Sequence, residues 1–108
     1  MQEREMLELA AKAAGIVVNQ WREDDYGLVA WIEPEDKHWS PLDDDGDALR
    51  LAVALNFTVS VCSHEVEVFT EEGECTSTAF AYDEDKGGIV RRIIVRAAAE
   101  IGKQMEEK

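Results

Sequence analysis

Trp39-Ser40-Pro41-Leu42-Asp43-Asp44-Asp45-Gly46-Asp47-Ala48-Leu49-Arg50-Leu51-Ala52-Val53 carries an aromatic, a turn proline and an acidic loop straight into a helix. The run Asp43-Asp44-Asp45 puts carboxylates where the exposed N–H groups of a helix start need acceptors. Their negative charge also suits the positive end of the helix dipole. The predicted helix spans about residues 45–56, and Ala48, Leu49, Leu51, Ala52, Val53 and Leu55 spread over most of its circumference. Only Asp47 and Arg50 interrupt that arc, so the helix should be covered on more than one side, within the domain or by a partner.

Toward the amino terminus, residues 2–14 read as a helix with Met6, Ala10 and Ala13 on one face and Leu9 beside them. Gly15 stands where a left-handed C-cap is wanted. A strand begins at Ile16 and ends near Trp21, residues 22–27 turn the chain, and residues 28–32 form a second strand closed by Pro34. The two should make a hairpin, and residues 35–42 a polar loop holding His38 and Trp39. Toward the carboxy terminus, residues 57–62 and 66–69 alternate as strands joined near Ser63-His64-Glu65. After a turn at 71–74, residues 75–82 give a final strand. The last helix covers about residues 84–104, with Val90, Ile94, Ala97, Ile101 and Met105 inward and Arg92, Arg96 and Lys103 opposite. The order α-β-β-α-β-β-β-α implies one α+β domain over residues 1–108: an antiparallel sheet of four to five strands with three helices, in a sandwich.

A hydrophobic fraction of 45% argues for a globular chain although 32% of residues are charged. The net charge of -13 is unevenly spread. Residues 65–85 hold eight acids and no base, whereas residues 86–108 hold six bases against Glu100, Glu106 and Glu107. An acidic field of this size repels nucleic acid and anionic membrane, so neither is expected as a direct partner, and it steers association toward basic proteins. No apolar run reaches the roughly 18 residues of a membrane span, and the first residues lack a basic-then-apolar leader pattern. The cytoplasm is the expected location. Cys62 and Cys75 read as small buried hydrophobes rather than a disulfide, and with His38 and His64 they match no zinc spacing.

Trp39-Ser40-Pro41-Leu42, residues 44–53 and the run Arg91-Arg92-Ile93-Ile94-Val95-Arg96-Ala97-Ala98-Ala99-Glu100-Ile101-Gly102 resemble the phage ABA sandwich domain proteins. Residues 7–15 fit the same pattern, whereas residues 57–86 contribute little to it. The resemblance implies a bacteriophage or prophage origin and an α/β sandwich. It implies no reaction, because fold likeness does not carry function.

Reaction chemistry is poorly represented. Gly46 at the sixth position of a calcium loop would put Pro41 first and Ala52 twelfth, so no metal site is expected. His38 has no nucleophile beside it, and Gly87-Gly88 fits neither phosphate-loop fingerprint. An enzyme is not expected, nor a cofactor. The unusual feature is the start of the last helix, where Lys86, Arg91 and Arg92 stand although the dipole disfavours cations there. Gly88 opens the backbone, Arg92 and Arg96 lie one turn apart, and Trp39 sits in a loop suited to stacking. Read together, Lys86, Gly88, Arg91, Arg92, Arg96 and Trp39 could hold an anionic small molecule of the cyclic-nucleotide or ADP-ribose type. The alternative is that the arginines neutralise the chain's own acids.

Two functions follow as expectations, both non-enzymatic and both set in phage counter-defence. One is a homo-oligomer that sequesters a nucleotide immune signal. The other is an acidic DNA mimic that occupies a basic host protein.

Overall fold

The computed structural model describes residues 2–24, 27–33, 37–80 and 86–106. Its order is α1 (Glu3–Ala14), β1 (Val17–Asp24), β2 (Gly27–Glu33), β3 (Lys37–Trp39), α2 (Asp45–Ala54), β4 (Thr58–Val61), β5 (Glu65–Phe69), β6 (Cys75–Phe80) and α3 (Lys86–Glu106). The α+β class and the three helices agree with the sequence reading. The single sheet of four to five strands does not. Two antiparallel sheets form instead, ordered β1-β2-β3 and β4-β5-β6.

The first sheet includes β3, three residues long inside the segment expected to be a loop. Trp39 pairs with Ala30, His38 with Trp31 and Lys37 with Ile32, which completes the first sheet before α2 begins. That register also decides which tryptophan is internal. Ala30 and Ile32 are buried, so on a pleated strand Trp31 must face the other way, and Trp39 opposite Ala30 shares the inner side. Trp39 is 3% exposed, while the Trp31 ring stands edge-on to His38 with centroids 4.1 Å apart.

The helices form the shared middle of the molecule, α1 and α2 both lying against α3, with β5 and β6 packed on α3 and β1 touching α1. One continuous core results, from Leu7 and Ala10 through Leu51 and Ile93 to Val66 and Val68. Gly15 caps α1 in the left-handed conformation at φ 71°, and its N–H reaches back to Ala11 and Lys12. α3 is buried over a wider arc than the expected stripe. Ile93, Ile94, Val95, Ala97, Ala98, Ala99 and Gly102 are internal, and Met105 is 47% exposed. The reason is that α3 is sandwiched between α1 on one side and β5–β6 with α2 on the other. The cysteines are free, as expected, but not buried: Cys62, just after β4, and Cys75, opening β6, are both exposed. No helix among the described residues is long and apolar enough to cross a membrane.

Candidate functional site

The acidic loop before α2 is a folding device in which each carboxylate has a partner. Asp44 is the N-cap, its Oδ2 accepting from the Asp47 N–H at 2.8 Å. Asp43 accepts from the Ser40 hydroxyl at 3.0 Å. Asp47, 7% exposed, accepts the Ser40 N–H at 2.9 Å and an Arg50 guanidinium N–H at 2.7 Å. That hydrogen bond, with the charges of Asp47 and Asp44, raises Arg50 above the usual arginine value, so it stays a cation. Among the described residues no three His, Cys, Asp or Glu side chains gather as metal ligands.

The cations at the start of α3 do not converge on one cavity. Arg91 lies on the buried arc, in line with Ile94, Val95 and Ala98, and its side chain is 19% exposed. Its Nε donates to the Leu42 carbonyl at 2.9 Å and its Nη1 to Asp45 at 2.6 Å, which pins α3 to the loop entering α2. Lys86 donates to the Ser63 carbonyl at 3.3 Å. Arg92 reaches Glu3 of α1 at 3.4 Å, both side chains being about half exposed. Gly88 lies inside the first turn of α3, half-buried. Trp39 belongs elsewhere: it lines a 270 Å³ cleft with Ile32, Lys37, Asp47, Arg50 and Leu51, which none of the α3 residues reaches. The sequence-derived set is thereby corrected in two members. Trp39 is a core residue because strand pairing turns it inward, and Arg91 is an internal strut because helix phase aims it at Asp45.

Arg92 and Arg96 do remain together. One turn apart on the outward side of α3, they line a 200 Å³ depression with Met6, Ala99 and Glu100. Arg96 makes no ion pair among the described residues.

The second charged surface is the face of β4–β6 turned away from α3. Val66 and Val68 are buried beneath α3, so the intervening Glu65 and Glu67 point outward, about 6.5 Å apart along the strand. Glu71, Glu72 and Glu74 follow in the exposed turn. None of these five forms an ion pair among the described residues, whereas Glu3, Glu8, Glu106, Asp44, Asp45 and Asp47 all do. Among the described residues Glu67 receives a long contact from the Cys75 thiol, at 3.8 Å. The charge run had marked this stretch in the sequence; the strand phase that turns the half-buried Glu65 and Glu67 away from α3 needed the pairing.

Arg91→Met tests the strut assignment. It keeps the aliphatic stem and removes the donors to Leu42 and Asp45, so urea unfolding should show a loss of about 1–2 kcal/mol. An unchanged midpoint would return Arg91 to the ligand-binding candidates.

No family model, curated protein or solved structure matches this chain.

Proposed function

We propose that the chain is a non-enzymatic, phage-encoded accessory protein that works by binding, and that its working surface is the acidic face of β4–β6. The observation that carries this reading is the contrast in pairing. Among the described residues the carboxylates of Glu3, Glu8, Asp44, Asp45, Asp47 and Glu106 are paired with cations, while the clustered Glu65, Glu67, Glu71, Glu72 and Glu74 form no ion pair. Carboxylates at this density repel one another, and a basic groove relieves that repulsion. The partner that fits is the nucleic-acid-binding groove of a host defence protein, with the carboxylates standing in for phosphates. The resemblance to phage ABA sandwich proteins points to a phage origin, and counter-defence is the role we propose in that setting.

The test is affinity capture from host lysate with wild type and with Glu65→Gln, Glu67→Gln, Glu72→Gln combined. A nucleic-acid-binding protein should be retained by wild type and lost from the variant. Its affinity should fall by ~10-fold or more as salt rises from about 50 to 200 mM. Retention unaffected by both the substitutions and salt would overturn the reading.

A second reading rests on the Arg92–Arg96 depression, which can seat a phosphate between two guanidinium forks. At 200 Å³ it is smaller than the roughly 300–1,000 Å³ typical of small-molecule sites, so a whole nucleotide would lie partly outside it. Calorimetric titration with cyclic nucleotides and ADP-ribose separates the readings: heat abolished by Arg96→Ala favours this one, and no heat removes it.

A further inference from the structure

We infer that the outward side of α2 and the open edge of β4 form the face through which two copies of this chain associate about a two-fold axis. Among the described residues the exposed large hydrophobic side chains are Leu49, Val53 and Val61, at 62%, 67% and 53%, together with Val17 and Met105. Leu49 and Val53 are one turn apart on the side of α2 turned away from Leu51 and Ala52. From Leu49 an apolar groove of 340 Å³ runs between α2 and α3, past Val59 to Val90 and Ile94. Here the sequence expectation is met in part: α2 is covered on one side by the domain, and the rest of its apolar arc is bare.

The adjoining strand has the same character. β4, with sequence Thr58-Val59-Ser60-Val61, stands at the edge of its sheet and, among the described residues, pairs only with β5. Natural edges are commonly guarded by a lysine, a proline or a bulge. β4 has neither residue, its register with β5 is regular, and the irregularity of this sheet falls between β5 and β6. The helix feeds directly into the strand, the Phe57 N–H donating to the Ala52 carbonyl at 2.9 Å.

Charge decides the occupant. A chain of net charge -13 resists self-association wherever unpaired acids would meet. On α2 and around the groove every charged side chain is already matched: Asp45 with Arg91, and Asp47 with Arg50. A basic partner finds no unpaired carboxylate here, whereas a second copy meets no unpaired like charge. Two-fold symmetry sets β4 antiparallel to its mate and continues the hydrogen-bond ladder, while Leu49 and Val53 cover their counterparts.

The experiment is sedimentation velocity on the full chain from about 1 to 200 µM, at low and high salt, a range that spans micromolar affinity. A species of twice 12.1 kDa is expected, and its dissociation constant should tighten with salt as repulsion is screened. Binding through the acidic face weakens with salt, so the two proposals fail independently. Leu49→Glu with Val53→Glu should weaken the dimer by ~30-fold or more, with the helical circular dichroism retained because both side chains are already in water. Hydrogen exchange should slow at Thr58–Val61 as concentration rises. A wild-type chain monomeric throughout, a double variant that dimerises as wild type does, or protection that falls elsewhere overturns the inference.

Discussion

Gly102→Leu is expected to undo the docking of α1 on α3 and to lower the melting temperature by roughly 15 °C or more. Gly102 lies within α3 and is fully enclosed by α1. A β-carbon built there would stand 2.7 Å from the Leu9 carbonyl carbon and 3.1 Å from its Cα, and it would overlap the carbonyl oxygen as well. These are backbone atoms of a helix whose Met6, Leu7, Leu9, Ala10 and Ala11 are all buried, so they cannot yield as the tip of a side chain would. The helices must separate. Overpacking costs about 1–3 kcal/mol per site when neighbours can adjust, and more when they cannot. Against it stands the gain of about 1 kcal/mol from removing a glycine from a helix interior. The clash wins, because a whole helix has to move. A domain of this size holds only about 5–15 kcal/mol in total, so leucine there should leave α1 loosened or the chain unfolded at 37 °C. Gly102→Ala gives the graded comparison, with a smaller loss of the same sign. A thermal melt in which Gly102→Ala is stabilised would show that α1 does not approach so closely.

The same close approach shows where the sequence was legible. Gly15 marks the end of α1 because only a left-handed residue fits there, and glycine adopts that conformation freely. The acidic run before α2 announces its N-cap, since short polar side chains are what an open helix end requires. These are local requirements, written within a few residues of where they act. Gly102, by contrast, answers to Leu9, far away in the chain, and nothing adjacent to it in sequence signals a crossing helix. β3 was missed for a related reason. Three residues are too short for a periodic pattern, and the strand exists because β2 offers it an edge. Once it forms, Trp39 faces Ala30 across the pair and becomes core.

The candidate site divides along the same line. The charge runs were visible in the sequence, but charge runs do not state which acid answers which base. Arg91 and Asp45 find each other because α2 and α3 lie side by side, and Arg92 finds Glu3 because α1 does. Among the charged residues left without an ion pair in the described part of the chain, Arg96 stands beside Arg92 on one surface and five glutamates gather on β5 and the turn that follows it.

Asp47→Ala carries the second large effect, about 2–4 kcal/mol of stability lost in urea unfolding. Asp47 sits in the first turn of α2 yet is buried, because its carboxylate bridges two elements. It takes the Ser40 N–H, which no other acceptor in the turn satisfies, and it holds Arg50 across the helix surface. Alanine leaves the Ser40 donor orphaned in a partly buried setting and removes a negative charge from the positive end of the helix dipole. Alanine's better helix propensity returns less than 1 kcal/mol, too little to offset those losses. Asp47→Asn discriminates between the two contributions. Its amide oxygen can still accept from Ser40, so if the backbone bond dominates, most of the stability returns. Arg50→Met supplies the complementary control: its side chain is 62% exposed, so water screens its pairing with Asp47 and its loss should barely move the midpoint. The ordering expected is therefore Asp47→Ala far below Asp47→Asn, with Arg50→Met near wild type. An equal loss in Asp47→Ala and Arg50→Met would instead assign the stability to the ion pair, and the loop before α2 would owe its shape to charge rather than to one backbone hydrogen bond.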